Sequence, residues 1–229
     1  SILFWRSMMH WIGGMGIVFF TVAILPTIGS GDQKLFSAES TGLKIGKLHP
    51  KISTTARWLW SLYLLLTIAC TTAYHIGGMN IFDAVNHALS TVATGGFSTH
   101  QASIAYFNSA TIEYIAIAFM FLASINFTLL YLFLIKMRFR EVLKDAELRF
   151  FICTVLLSTI FIAGTLIIAH EENFSSAVRN ALFNVVSISS TTGFTTSDFM
   201  MWHPCVWMII TMVGVMGACA GSTSGGLKS

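Results

Sequence analysis

Thr94-Gly95-Gly96-Phe97-Ser98-Thr99 and Thr191-Thr192-Gly193-Phe194-Thr195-Thr196 are two versions of one phrase. Gly96 and Gly193 stand 97 residues apart, and at that offset four of the six positions are identical and a fifth is a Ser/Thr exchange. Upstream, Ala84-Val85-Asn86-His87-Ala88-Leu89 resembles Ala177-Val178-Arg179-Asn180-Ala181-Leu182, a match that needs four extra residues in the second copy. Four residues is about one helical turn, so a helix there keeps its face. Downstream, Ala123-Ser124 falls on Ala220-Gly221. The chain therefore carries an internal repeat.

The surroundings say what kind of repeat it is. Of the 229 residues, 55% are hydrophobic and 10% charged, with a mean hydropathy of +0.73. A soluble domain carries about 25% charged residues, so lipid is the expected solvent. Five apolar stretches approach the roughly 20 residues that cross a bilayer: Met8–Ile28, Trp58–Ile76, Thr111–Ile135, Phe150–Ala169 and Pro204–Ala220. Two shorter ones, Ile81–Ala93 and Ser175–Ser190, immediately precede the Thr/Gly phrases. The loop Gly29–Arg57 carries Lys34, Lys44, Lys47, Lys51 and Arg57, and Lys136–Arg149 carries Lys136, Arg138, Arg140, Lys144 and Arg149. The loops on the opposite side carry Glu171, Glu172 and Asp198 and no Lys or Arg, which puts both basic loops on the cytoplasmic side. That sidedness holds only if each short stretch enters and leaves on the outer side.

The expected fold is thus an all-α membrane protein of parallel repeats, each a transmembrane helix, a re-entrant pore loop and a second transmembrane helix, like a potassium channel. Residues 1–28 form the last span of one repeat and 29–57 a cytoplasmic loop. Residues 58–135 form the next repeat, 136–149 a second cytoplasmic loop, and 150–229 a further repeat whose last helix is interrupted. Ser1 and Leu227-Lys228-Ser229 read as cuts through a longer chain, and no signal peptide is expected.

A bare cation in a membrane must replace its hydration shell, and carbonyls of Thr/Gly-rich strands do this in potassium filters. Glycine permits the backbone conformations that line those carbonyls up. The expected ion ligands are the carbonyls of Thr94, Gly95, Gly96, Thr191, Thr192 and Gly193. The short helix before each strand aims its negative end at the ion, and Asp83 suits the positive end of the first one. Phe97 and Phe194 are expected to pack behind the strands.

Phe4-Trp5-Arg6, Trp11-Ile12-Gly13-Gly14-Met15-Gly16-Ile17, Thr94–His100, Ser190–Thr196 and Gly217–Gly226 together resemble the Trk/Ktr/HKT superfamily of cation transporters, and the bacterial Trk-type membrane subunit most closely. The resemblance covers the whole chain in order. It implies four repeats around one pore, of which this chain holds the end of the first, all of the second and most of the third. It implies potassium uptake across the bacterial plasma membrane, with potassium as the transported ligand and no cofactor. It implies a homodimer in membrane lipid and a cytosolic nucleotide-binding regulatory subunit (TrkA-like), with no nucleic-acid partner. One filter glycine per repeat goes with potassium in this superfamily, and a serine in the first repeat with sodium. Gly96 and Gly193 fit potassium, while a sodium or mixed carrier of the same architecture is the alternative. Gly221-Ser222-Thr223-Ser224-Gly225-Gly226 matches the intramembrane loop that obstructs the pore, so these residues are the expected gate. The aligned Ser124–Thr128 has no glycine, so the interruption is expected in the later repeat alone.

The remaining polar residues read as structural. Gly13, Gly14 and Gly16 suit close helix packing. Cys70, Cys153, Cys205 and Cys219 have neither disulfide nor zinc spacing and read as small buried groups. His10, His75, His87, His100, His170 and His203 read as interfacial or loop residues, and Ser124, Asn126 and Thr128 as interhelical hydrogen-bonding groups. Arg179 needs a partner, for which Glu171 or Glu172 is expected. No intramembrane catalytic set is present, which argues against an enzyme.

Overall fold

The computed structural model describes residues 2–19, 52–134, 136–169, 173–197 and 199–226. Most of the basic loop Gly29–Arg57 lies outside them, as do His170, Glu171, Glu172 and Asp198. The described elements are helical: α1 (Ile2–Phe19), α2 (Ile52–Ile76), α3 (Ile81–Val92), α4 (Ala110–Ser124), α5 (Phe127–Leu134), α6 (Phe139–Val142), α7 (Ala146–Ile168), α8 (Phe174–Ser189) and α9 (Pro204–Met216). Short 3-10 turns at Ser103–Phe107 and Phe199–Met201 lead into α4 and α9.

The repeat is visible in the packing. The short helix α3 packs against α2, α4 and α1, and the short helix α8 packs against α7, α9 and α4. So α1 stands to α3 as α4 stands to α8. The four-residue difference is also present: α3 has 12 residues and α8 has 16. Both helices start after an asparagine, Asn80 and Asn173. Only Asn80 closes a side-chain cap, its Oδ1 accepting from the Asp83 amide at 2.8 Å.

Among the described residues, α2 from Arg57 onward and α7 are each long and apolar enough to cross a membrane. Leu64, Leu65 and Ile68 on α2, and Leu156, Leu157, Ile160 and Phe161 on α7, point outward, as lipid-facing residues do. Gly14 does pack closely: a Cβ there would lie 2.9 Å from the Tyr63 hydroxyl and 3.1 Å from the Ala93 α-carbon. Among the described residues Gly13 and Gly16 have nothing within 4 Å, so close packing is seen there at Gly14.

The expected span Thr111–Ile135 is not one helix. It breaks after Ser124, and α4 and α5 meet at 110°. Asn126 is the cause: its Oδ1 accepts from the Thr128 amide at 2.8 Å, capping a new helix inside the apolar run. An interruption is therefore present in both repeats, against the expectation of one. Ser124 and Asn126 bond locally, Ser124 Oγ donating to Met120 O at 2.8 Å. Cys70 and Cys219 are buried, but Cys153 and Cys205 face outward, where a thiol costs little against lipid. His87 is fully buried rather than interfacial.

Candidate functional site: the paired Thr/Gly strands

The strands leave α3 and α8 by the same hydrogen-bond scheme. The Thr94 amide donates to Thr91 O at 3.1 Å and the Thr191 amide to Ile188 O at 2.9 Å. The Gly95 amide donates to Ser90 O at 2.7 Å and the Thr192 amide to Ser187 O at 2.9 Å. Every pair is separated by the sequence offset of 97. Positive φ recurs in register too: Thr94 at 50° and Gly96 at 70°, Thr191 at 55° and Gly193 at 83°. The middle residues, Gly95 and Thr192, are not left-handed. Alternating the hand of successive residues turns successive carbonyls toward one side, where an extended strand would alternate them. A threonine held at positive φ is strained by about 1–3 kcal/mol, which a fold sustains where the conformation serves a purpose.

The amides thus point back to their helices. Among the described residues, no hydrogen bond is accepted by the carbonyls of Thr94, Gly95, Gly96, Thr191, Thr192 or Gly193. The two strands lie side by side; a Cβ on Gly96 would sit 1.7 Å from the Thr192 carbonyl oxygen. An array of unpaired carbonyl oxygens with no fixed anion can hold a desolvated monovalent cation.

Ser90 and Ser187 brace the strands from behind, differently in each. Ser90 Oγ accepts from the Phe97 amide at 2.8 Å, whereas Ser187 Oγ donates to Phe194 O at 2.7 Å. His87 and Asn184 occupy equivalent places. His87 bonds Asp83 O at 2.8 Å and Ser98 Oγ at 2.9 Å, and Asn184 bonds Asn180 O at 2.9 Å and Ser197 Oγ at 3.3 Å. Phe194 is buried behind its strand as expected, but Phe97 is half-exposed, stacked on His10 at 4.7 Å beneath the Arg6 guanidinium at 4.8 Å. Arg6 Nη2 donates to Ser98 O at 2.5 Å. A cavity of about 330 Å³ opens here, reaching Arg6, Gly96 and Gly193.

The first strand carries a clamp built on Asp83. Asp83 Oδ1 accepts from Thr99 Oγ1 at 2.6 Å, and Oδ2 lies 3.2 Å from His100 Nε2. Burial at this outer end of α3 works against the Asp83 carboxylate, but the bonds from Thr99 and His100 outweigh it and hold the group below the usual carboxylate range.

At the opposite end of the strands lies the chain after α9. Thr94 Oγ1 donates to Thr223 O at 3.0 Å, and Thr223 Oγ1 donates toward Val92 O at 3.1 Å and Ala123 O at 3.2 Å. The Gly225 amide donates to Thr191 Oγ1 at 2.7 Å. Thr94 and Thr191, equivalent residues, thus both reach this loop. Ser222, Thr223 and Ser224 are buried, and their neighbour Ala220 donates its amide to the Glu147 carboxylate.

All six expected strand residues and the expected gate residues Gly221 to Gly226 are therefore brought together. Arg179 Nε lies 2.7 Å from Glu113 Oε2 on α4, an ion pair off-line for a hydrogen bond, while the expected partners Glu171 and Glu172 lie outside the described residues. Glu113 and Glu147 were not picked out from sequence. A lone carboxylate and a lone guanidinium in membrane segments are the signal that would have paired Glu113 with Arg179.

Residues 1–229 match the profile of the TrkH family, described as a cation transport protein. The Trk system potassium uptake protein TrkH of Halomonas elongata is 42% identical over 229 residues, covering 100% of this chain and 48% of that protein. The Trk system potassium uptake protein TrkG of Escherichia coli K12 is 37% identical over 230 residues, covering 99% and 47%. The crystal structure of the potassium transporter TrkH from Vibrio parahaemolyticus superposes with a TM-score of 0.84 at 40% identity, over 99% of this chain and 46% of that one. The chain spans about half the length of the relatives it matches.

Proposed function

The chain belongs to the TrkH family of cation transport proteins, and from that premise we propose that it builds two of the filter strands of a potassium-uptake pore in the bacterial plasma membrane. The carbonyls of Thr94, Gly95, Gly96, Thr191, Thr192 and Gly193 take the place of the ion's water. The observation that carries this reading is the backbone pattern repeated in both strands, left-handed at the first and third residues and not at the second, with every one of those carbonyls unpaired among the described residues. The relatives' names as potassium uptake proteins support potassium as the ion.

The loop Gly221–Gly226 is the gate. Its bonds to Thr94 and Thr191 support a seat at the inner mouth of the strands. These are single neutral hydrogen bonds, each worth about 1 kcal/mol net, so the loop is held firmly as a set and yet is separable bond by bond. In the intact protein a cytosolic nucleotide-binding regulatory subunit opens it, and two copies of the membrane subunit associate.

The test uses the full-length protein in potassium-loaded vesicles, with Thr223 and Ser224 deleted. Potassium flux in the absence of the regulatory subunit is expected to rise, with little further rise when it is added. A folded deletion variant with unchanged flux overturns the gate.

A further inference from the structure

The helix α9 ends at Met216, with Gly217 in a left-handed conformation at φ 69°. The Cys219 and Ala220 amides that follow bond no carbonyl one turn back, at a depth where lipid offers no partner. Cys219 finds Ser124 O at 3.3 Å, and Gly221 O accepts from the Phe127 amide at 3.1 Å. Between them, the Ala220 amide donates to the Glu147 carboxylate, 73 residues away in sequence.

Glu147 lies in the first turn of α7, where a carboxylate commonly serves its own helix end. That place is already filled: Asp145 caps α7, its Oδ1 accepting from the Leu148 amide at 2.9 Å. The Glu147 side chain reaches across to the loop instead. Among the described residues it is the one charged side chain hydrogen-bonded to the segment 217–226; the other partners are hydroxyls and backbone groups. A charge-assisted bond is about twice as strong as a neutral one, so this is the strongest of the loop's cross-element bonds.

Glu147 is also the point where the loop meets the basic cytoplasmic segment. Arg149 Nε and Nη2 donate to Asp145 O at 3.3 Å and Lys144 O at 3.2 Å, and Arg138 pairs with Glu141. The backbone continues the link, with the Val142 amide donating to Arg138 O at 3.4 Å, the Lys144 amide to Glu141 O at 3.2 Å and the Asp145 amide to Val142 O at 3.2 Å, so a displacement of the segment from Arg138 moves the start of α7 and with it Glu147.

We propose that Glu147 is the latch of the gate: a positioning residue that holds Gly221–Gly226 shut and relays movement of the cytoplasmic segment 136–149 to it. This rests on the gate reading above. It gives the regulatory subunit a mechanical target, since pulling α6 and the α7 start away withdraws the carboxylate from the Ala220 amide.

The experiment compares Glu147→Ala and Glu147→Gln with the Thr223–Ser224 deletion, all full-length, in vesicles with and without the regulatory subunit. Two readouts are taken: potassium flux, and labelling of Cys219 by a water-soluble maleimide from the cytoplasmic side, in a background with Cys153 and Cys205 replaced by serine. Glu147→Ala is expected to raise subunit-independent flux roughly tenfold, the size of one lost charge-assisted bond. Glu147→Gln, which keeps an acceptor, is expected to raise it less. Both should speed Cys219 labelling while leaving potassium-over-sodium selectivity as in the parent. If the deletion raises flux and both Glu147 variants match the parent in flux and labelling, the latch is refuted and the gate stands. If the deletion also leaves flux unchanged, both readings fall. Should Glu147→Ala not assemble, Glu147→Gln decides alone: faster labelling supports the latch and parental labelling overturns it.

Discussion

Gly96 and Gly193 occupy equivalent places, yet replacing each with alanine should give different outcomes. Both residues are left-handed, at φ 70° and 83°, so each alanine pays about 1–2 kcal/mol for its Cβ, a factor of roughly 5–30 in the population of the intact strand. There the likeness ends. Among the described residues a Cβ at Gly193 meets nothing within 4 Å, whereas one at Gly96 falls 1.7 Å from the Thr192 carbonyl oxygen. That separation must grow by about 1.3 Å merely to reach the 3.0 Å below which real Cβ contacts essentially never lie. The neighbour is backbone, not a side chain that can rotate away, so the strands themselves must part. Gly193→Ala is therefore expected to lower potassium flux by no more than about 30-fold with selectivity kept. Gly96→Ala is expected to remove discrimination between potassium and sodium, because the carbonyl spacing is what discriminates. The assay is competition of sodium against potassium uptake at matched membrane levels of each variant. Selectivity kept in Gly96→Ala, or lost in Gly193→Ala alone, refutes the reasoning.

Two further outcomes follow from the ionised groups. The Glu113–Arg179 pair is partly exposed, with side chains 11% and 26% accessible, so Glu113→Ala should cost about 1–3 kcal/mol, between the values for surface and buried pairs. Thermal unfolding of the solubilised full-length protein checks this; Glu113→Ala with Arg179→Met should recover most of the loss, and a double variant as unstable as the single refutes the pairing. Asp83 sits below its ordinary value of 3.8, so its contribution is complete above that value and is lost as pH falls through the lowered one. Acidification below about 3.8 should destabilise the parent more than Asp83→Asn, and equal acid sensitivity refutes the clamp.

The strands were legible because their chemistry is backbone chemistry. A positive φ selects glycine, and the glycines, with the threonines and phenylalanines around them, recur at a fixed offset that survives divergence of the flanks. The four-residue lengthening of α8 was legible for a related reason: a whole helical turn preserves the buried face, so Ala84–Leu89 and Ala177–Leu182 still align. The break inside Thr111–Ile135 was not. Hydropathy averages over a window, and one Asn in an apolar run barely moves it, although Asn is among the best residues for starting a helix. Long-range pairs were equally silent. Nothing local in Glu147 says that its partner is the amide of Ala220, because a backbone amide has no residue identity to read.

The two interruptions depend on each other. Ser124 and Gly221 are equivalent by the offset of 97; α4 leaves the helix at Ser124, whereas α9 leaves it earlier, at Met216, and Gly221 lies in the loop that follows. In lipid neither break is affordable alone, because each exposes amides and carbonyls with no water to meet them. Here each supplies what the other lacks: Ser124 O accepts from the Cys219 amide, and Gly221 O accepts from the Phe127 amide that begins α5. Gly221, at φ 74°, lies so close that a Cβ there would stand 3.0 Å from Asn126 Nδ2. Asn126 thus has two tasks, capping α5 and forming the floor on which the glycine loop rests. Had α4 run straight on, its next turn would have paired its own carbonyls, leaving Cys219 without an acceptor. The glycine-free break of the earlier repeat is accordingly the seat of the glycine-rich one, and the gate proposed above would rest against a fixed partner of matching irregularity.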